Sequence, residues 1–358
     1  MTVSICIVNW NGMEYLPCCL NSIHKQDYQG EIEIIIVDNF STDGSLEYIK
    51  NIQGDIKILK NNVNKGFSYA HNQAIKVSKG EYILPLNFDV FLEPNFISEM
   101  VEVMENNPNT GIISGKLYKQ INGKRTNLID STGILMEHCF MHPRGEMEED
   151  TVQYDDPGNN GIFGACGAAP FYRRAMLEDI KCFDEFFDED FVNYVEDVDL
   201  SWRAQIRGWK CIYNPKAIAY HERGATRRNN HKIQNEYLVY GFRNRYCSLI
   251  KNITSKYWKK NKFKIIGREL LFLLSSVNGV SRFVRLKALG LTIKMLKKML
   301  AKRKIIQQRK LVFDDYMDNF FRYNTFNLYN MASALLLLEI KNIKKKLRIK
   351  KHVTQTNE

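Results

Sequence analysis

Apolar residues gather in two short β-branched runs with almost no polar interruption, Val3–Val8 and Ile32–Val37. Runs of this kind fit strands buried on both faces of a parallel sheet. Ile56–Leu59 and Tyr82–Leu86 are weaker copies, and helix-like stretches lie between the runs at Glu14–Lys25, Gly44–Asn51 and Phe67–Ser78. Ser41 or Thr42 is placed to cap the second of these helices. Strand and helix alternating at this spacing predict a right-handed, mostly parallel, Rossmann-like α/β sheet. Ligands of such sheets sit at the carboxyl ends of the strands.

That rule selects four loops: Asn9-Trp10-Asn11-Gly12, Asp38–Gly44, Asn61–Gly66 and Asn87-Phe88-Asp89. Turns favour Asn, Asp and Gly for their own sake. Four successive loops at one sheet edge, each with hydrogen-bonding side chains, point further, to a polar ligand with a sugar and a base to grip. Neither G-x-x-x-x-G-K-[ST] nor G-x-G-x-x-G is present, so the glycine-rich phosphate cradles are excluded. A metal ion would reconcile acidic loops with a phosphate ligand.

A second block, residues 111–224, opens with strand-like Gly111–Tyr118 and Leu128–Met136. The small-residue run Gly161–Ala169 follows, read either as close approach of backbone to a ligand or as a tightly packed turn. After the acidic stretch Asp184–Asp190, Glu196-Asp197-Val198-Asp199-Leu200 opens a helix that continues through Trp202. Carboxylates there also favour the helix dipole. Trp209–Tyr213 and Ala217–Tyr220 read as two short strands ending at His221.

Composition sets the frame for these blocks. The 358 residues are 44% hydrophobic and 25% charged, a globular balance that excludes wholesale disorder, collagen and a disulfide-dense miniature scaffold. The length fits one large domain plus an appendage. Eight cysteines, at 6, 18, 19, 139, 166, 182, 211 and 247, form no C-x-x-C pair and read as reduced, mostly buried thiols. His138-Cys139 with His142 would make only half a zinc site. No basic n-region or long apolar segment precedes Val3, and Leu270–Ser281 and Tyr323–Leu338 are too short or too polar to span a bilayer, so a cytoplasmic protein without a transmembrane helix is expected.

The formal charge of +11 is unevenly divided: residues 1–230 hold 22 of the 51 basic and 33 of the 40 acidic residues, net −11, and residues 231–358 hold the other 29 and 7, net +22. We therefore divide the chain into a catalytic domain, 1–230, and a basic α-helical region, 231–358. In the latter, Ile265, Leu270, Leu271, Leu274, Phe283, Leu286, Leu289, Leu296 and Leu300 recur among Lys and Arg, and Leu335–Ile349 repeats the theme. Two readings fit: a small bundle with a solvated basic surface, or a module that seats residues 251–351 on an anionic membrane. A nucleic-acid role for the tail has its charge and the interleaved Lys256-Tyr257-Trp258-Lys259-Lys260 in favour, but no known motif appears.

Transfer of a group from a nucleotide diphosphate needs a divalent cation for the leaving diphosphate and a carboxylate for the proton of the attacking hydroxyl. Asp89 and His221, both at strand ends, offer a hard oxygen and an imidazole, a mixture suited to Mn²⁺ or Mg²⁺. Glu196 and Asp197 point about 100° apart on a helix start, so one can face the acceptor while the other orients it.

In order and spacing, Val8-Asn9-Trp10-Asn11-Gly12, Ile36–Ser45, Asn64-Lys65-Gly66-Phe67, Leu86-Asn87-Phe88-Asp89-Val90, Glu196–Leu200 and His221 with Gly224 resemble the family-2 inverting glycosyltransferases of GT-A fold, close to the rhamnosyltransferase-like members that build bacterial surface polysaccharides. Tyr240–Asn244 also resembles a segment found just after the domain in such relatives. The resemblance implies that Asn9, Asn11, Asp38 and Asn39 line the base and ribose of a dTDP-rhamnose-like or UDP-sugar donor, and that Asn64, Gly66 and Phe67 close the opposite wall. Asp89 matches the last aspartate of the D-x-D metal motif, with Asn87 in the first place, and His221 a further ligand of Mn²⁺ or Mg²⁺. Asp197 matches the general base and Glu196 its neighbour; Gly164, Ala165 and Trp202 would border the sugar and a glycan or lipid-linked acceptor. The enzyme would work peripherally on the inner face of the cytoplasmic membrane. A sugar-nucleotide-forming nucleotidyltransferase would want a basic first loop, and a processive synthase Q-x-x-R-W and membrane helices; neither set is present.

Overall fold

The computed structural model describes residues 1–320 apart from 53, 138–139, 157–160, 225–230, 275–281 and 319. His138, Cys139 and the Tyr323–Leu338 and Leu335–Ile349 segments lie outside the described residues.

Four parallel strands, β1 (Thr2–Asn9), β2 (Glu31–Asp38), β3 (Ile56–Lys60) and β4 (Tyr82–Asn87), alternate with α1 (Leu16–His24), α2 (Ser45–Lys50) and α3 (Phe67–Val77). Residues alternate between the sheet's two faces: Val3, Ile5, Ile7, Leu84 and Leu86 pack on the side of α1, and Cys6, Ile35, Val37 and Ile83 on the side of α3. Each such side chain, fully buried, is worth about 1.5–3 kcal/mol. The register sets Asn9 opposite Asp38 and Val8 opposite Asn87, so the polar strand ends meet at one edge. Neither Ser41 nor Thr42 caps α2: Gly44, at φ 85°, holds the N-cap, and the Ser41 hydroxyl instead accepts from Asn9 and from the Asn11 N–H.

The second half adds β5 (Val90–Leu92), α4 (Phe96–Asn106), β6 (Thr110–Ile121), β7 (Lys124–Ser131), β8 (Ile134–Glu137), β9 (Phe140–Pro143), β10 (Pro170–Arg173), α5 (Arg174–Asp179), a 3₁₀ turn at Glu189–Phe191, α6 (Glu196–Ile206) and β11 (Lys210–His221). The main sheet runs β3-β2-β1-β4-β10-β6-β11-β5, with β7 on β6 and β8–β9 as a separate hairpin. β10 is antiparallel to both neighbours, and β5 to β11, so the sheet is parallel in its first half and mixed in its second. The run Leu128–Met136 is two strands, broken before Gly133 at φ 118°. The two short strands expected before His221 are one, with a register shift between Asn214 and Ile218.

The basic region forms α7 (His231–Asn252), α8 (Ser255–Leu274), α9 (Arg282–Gln308) and α10 (Asp314–Asp318). Val198, Trp202 and Ile206 of α6 share one core cluster with Leu249, Ile253, Tyr257, Ile265 and Ile306. The opposite charges of the two halves meet directly. Lys302 Nζ reaches Asp188 (2.6 Å), Asp190 (2.9 Å) and Glu185 (3.0 Å), and Lys251 bonds Asp188 and Asp199. The acidic stretch Asp184–Asp190 thus receives the helices. Phe263, Ile266 and Leu270 of α8 and Phe283, Leu286, Ile293, Leu296 and Leu300 of α9 are exposed. No helix among the described residues is long and apolar enough to cross a membrane.

Candidate active site

Asn9, at the end of β1, is buried, and its amide donates to Asp38 Oδ1 (3.1 Å), Ser41 Oγ (3.0 Å) and Ser45 Oγ (2.8 Å). Asp38 also accepts from the Ser41 N–H. Asn39 donates to Asn64 Oδ1 (2.9 Å) and the Gly66 carbonyl, while its own Oδ1 accepts from Lys65 N–H and Asn61. Asn9, Asp38 and Asn39 are at most 2% exposed. They are held inside the strand-end loops, and Asn11, Phe40, Asn64 and Lys65 are exposed on the rim of those loops. Phe40, at φ 74°, was not among the expected site residues. Gly66, at φ 81°, abuts Val192, whose carbonyl oxygen would lie 2.7 Å from an added Cβ.

Asn87 ends β4, and the turn after it delivers Asp89 to β5. Pairing of Val90 with His221 and the bond from Glu222 N–H to the Asp89 carbonyl (3.0 Å) put the two side chains together. His221 Nε2 lies 3.5 Å from Asp89 Oδ1, and Nδ1 lies 2.9 Å from Asp130 Oδ2. Burial would lower the imidazole, but the Asp89 and Asp130 carboxylates outweigh it and push it up to about 9. Asp130, fully buried on β7, would be raised by burial; Arg223, His221 and Lys119 instead hold it well below the usual carboxylate range. Asp130 and Arg223 carry no sequence signal of their own: only the β6–β7 hairpin brings Asp130 behind His221.

The donor set suits a hard divalent cation. Asp89 and His221 Nε2 face each other, and Asp130 on Nδ1 is the partner that orients a metal-bound histidine. Among the described residues no group of three or more His, Cys, Asp or Glu side chains is arranged to hold a metal ion by itself. A cation here would have two protein ligands and would need the rest from diphosphate and water.

Across the rim, α6 opens at Glu196. Asp197 Oδ2 accepts from the Gly167 N–H and Oδ1 from the Val198 N–H, both at 2.8 Å. Glu196 is buried, with Oε2 lacking any partner. Burial, then the Asp197 charge, raises Glu196 well above an ordinary carboxylate. Burial raises Asp197 as well, against the N–H groups of Gly167 and Val198. Arg223 links the two centres, donating to Asp130 and lying 3.8 Å from Cys166 Sγ, next to Gly167.

Two expectations are corrected. Trp202 is 0% exposed, edge-on to Phe163 within the core beneath α6, so it does not border a sugar. Gly164 and Ala165 are buried too, and a Cβ at Gly164 would sit 2.1 Å from Ser201 Oγ; these residues let α6 approach. The small-residue run reaches the site at Cys166-Gly167 instead.

The Phe191–Val195 segment before α6 is strained, with Val192, Tyr194 and Val195 at φ 62°, 70° and 71°, conformations that cost about 1–3 kcal/mol each in non-glycine residues. Its partners lie on both sides. Phe67 N–H donates to Asn193 Oδ1 (3.0 Å) and Ser68 N–H to the Val192 carbonyl (3.2 Å).

Residues 4–181 match the family model "Glycosyl transferase family 2". The chain is 24% identical over 220 residues to the poly-β-1,6-N-acetyl-D-glucosamine synthase of Staphylococcus epidermidis, covering 61% of this chain and 49% of that one. It is 25% identical over 240 residues to a dolichyl N-acetyl-α-D-glucosaminyl phosphate 3-β-D-2,3-diacetamido-2,3-dideoxy-β-D-glucuronosyltransferase of Methanococcus voltae, covering 63% and 68%. The chain spans from about a third to a half of the length of the first curated relatives it matches. In fold it is similar to a mannosyltransferase of Pyrobaculum calidifontis in complex with GDP-Man and Mn²⁺, with TM-score 0.53, 14% identity and 95% and 86% of the two chains covered. The chain belongs to the family-2 glycosyltransferases and is built on their GT-A fold.

Proposed function

We propose that the protein moves a sugar from a nucleotide-diphosphate donor, a dTDP-rhamnose-like or UDP-sugar, to a hydroxyl of a growing, lipid-linked cell-surface glycan, with inversion at the anomeric carbon. The observation that carries this reading is the Asp197 carboxylate, fixed by two backbone N–H groups, with Arg223 reaching from Cys166, next to Gly167, to the Asp130 carboxylate behind His221. A carboxylate so oriented accepts a proton from one direction, as a general base requires. Asp197 removes the proton from the acceptor hydroxyl, whose oxygen attacks the anomeric carbon from the face opposite the nucleotide through an oxocarbenium-like transition state. The C–O bond to the diphosphate breaks as the new one forms. Asp89 and His221 Nε2 would hold Mn²⁺ or Mg²⁺, which supplies Lewis-acid stabilisation of the leaving diphosphate when bound. Glu196, beside the base, orients the acceptor.

The acceptor class rests on the relatives' printed activities, a polysaccharide synthase and a transferase acting on a lipid-phosphate sugar. Attachment to an anionic membrane fits that class. On α9, Leu286, Ile293 and Leu300 recur every seven residues on an exposed face, with Lys287, Lys294, Lys297 and Lys304 also exposed. Each cation near an anionic leaflet adds about 1 kcal/mol.

Screening nucleotide sugars with Mn²⁺ by thermal shift tests the donor assignment, since a ligand that binds only the folded state raises its apparent stability. One donor is expected to stabilise both wild type and Asp197→Asn while only wild type turns over. Stabilisation by none, or undiminished turnover by Asp197→Asn, refutes the reading. Sedimentation with anionic vesicles tests the membrane assignment, which Leu286→Glu/Ile293→Glu is expected to abolish.

A further inference from the structure

We infer that Asn244, on α7 and outside the matched family segment, is a positioning residue for the transfer reaction: its amide pins residues 191–194, holding the donor wall at Gly66–Phe67 and the carboxylates at Glu196–Asp197 in one arrangement. Asn244 is completely buried. Its Nδ2 lies 2.7 Å from the Phe191 carbonyl and 2.8 Å from those of Asn193 and Tyr194. Its Oδ1 accepts from Arg243 Nε (2.9 Å), and the same guanidinium donates to the carbonyls of Asp190 and Phe191. The two sets of partners fix which arm is which: the oxygen faces a cation, the nitrogen three carbonyls. Aspartate would set a negative charge against those carbonyls, and an apolar residue would leave buried acceptors unpaired, which is costly.

The pinned segment does not hold itself. Val192 and Val195 are β-branched residues at positive φ, where such side chains rarely rest. On one side the segment receives the start of α3 through Asn193 Oδ1 and the Val192 carbonyl. On the other it runs straight into α6, whose Asp199 N–H donates to the Val195 carbonyl (2.9 Å). A displacement at 192–195 therefore moves the donor wall and the base together. Reacting groups misplaced by about 1 Å lose on the order of a hundredfold in rate.

The inference rests on Asp197 as base, and the experiment separates the two. In the full-length protein, Asn244→Ala, Asn244→Asp and Asp197→Asn are compared with Gln307→Ala, which removes an amide bonded to the Lys251 and Asn252 carbonyls at the far end of α7. Hydrogen exchange of the 191–198 amides and steady-state kinetics are read on each. Both Asn244 variants are expected to exchange faster at 191–198, to lose about a hundredfold in kcat and to raise the donor KM severalfold, with Gln307→Ala like wild type. Unchanged exchange, or faster exchange with unaltered kcat and KM, overturns the inference. So does an equal loss in Gln307→Ala. If Asp197→Asn keeps turnover the base assignment falls with it; if Asp197→Asn is dead while Asn244→Ala turns over normally, the positioning role alone falls. Should Asn244→Ala not fold, Asn193→Ala removes the side-chain bond to α3 and leaves the Ser68–Val192 backbone bond: a rise in donor KM exceeding the fall in kcat supports the arrangement, and wild-type kinetics overturn it.

Discussion

Replacing Lys302 by Met leaves a long side chain in place and deletes the charge on which Glu185, Asp188 and Asp190 converge. The Lys302 and Asp188 side chains are 1% and 3% exposed, so water does not replace the lost ammonium. Removing one partner of a buried ion pair costs about 3–5 kcal/mol, and the lower figure applies because Lys251 remains on Asp188 and Lys298 on Asp190. With roughly 2 cal/mol/K of unfolding entropy per residue, about 3 kcal/mol lowers the melting temperature of about 300 cooperative residues by about 5 °C. Lys298→Met, at a half-exposed lysine, is expected to cost about 0–1 kcal/mol. The pH dependence has a definite sign. Burial would raise Asp188, but Lys251 and Lys302 hold it below the usual carboxylate range. Its stabilisation is present above the unfolded value, about 4, and is lost as pH falls through the folded one, so the gap between wild type and Lys302→Met narrows in acid. Calorimetry of both single variants and of Asp188→Asn/Lys302→Met tests this, the double variant recovering part of the loss. A Lys302→Met protein that melts with wild type, or melting of the helices as a separate transition, refutes the view that these ion pairs join the two halves.

Because Glu196 and Asp197 are both raised and the base must be ionised, kcat/KM is expected to fall as pH drops through a midpoint above the ordinary carboxylate range. Glu196, raised in part by the Asp197 charge, stays protonated while Asp197 ionises, so Glu196→Gln is expected to leave that acid limb in place; a limb shifted downward contradicts this order. Asp89→Ala is expected to weaken donor affinity in Mn²⁺, measured by calorimetric titration, and an equal loss with chelator present would mark Asp89 as structural. Gly66→Ala sets a Cβ 2.7 Å from the Val192 carbonyl oxygen at φ 81° and is expected to raise the donor KM; a wild-type KM argues against Gly66 as a wall of the pocket.

The first half of the fold was legible because its signals are local. β-branched runs marked β1 and β2 to within a residue at each end, and Phe67–Ser78 matched α3. The second half was less so. β10 has four residues and no periodicity to show, and β11 looked like two strands because Pro215 and Lys216 interrupt its pattern. Asp89 and His221, at strand ends, and Asp197, at a helix start, were singled out as candidates by loop position and composition. Those acting through partners were not. Asp130 is one acid among many until β7 folds onto β6, and Gly167 contributes a backbone N–H that leaves no mark in a sequence. Trp202 misled because a tryptophan beside two carboxylates reads equally as a sugar platform and as core. The tail's charge was visible, but its destination was not: buried lysines Lys251 and Lys302 look like any surface lysine until the acidic stretch is set against them.

The register shift in β11 bears on how this chain tolerates changes of length. From Cys211 to Asn214 the strand pairs with β6 in one register, and from Ile218 in another, with Pro215, Lys216 and Ala217 taken up between. A residue lost or gained in that slack alters a bulge and leaves Ile218–His221 rung for rung against Lys116–Lys119. The same change three residues later turns His221 to the opposite face of the sheet, away from Asp89. Insertions and deletions are therefore expected to be absorbed at 215–217 and refused at 218–221, two neighbouring stretches of one strand.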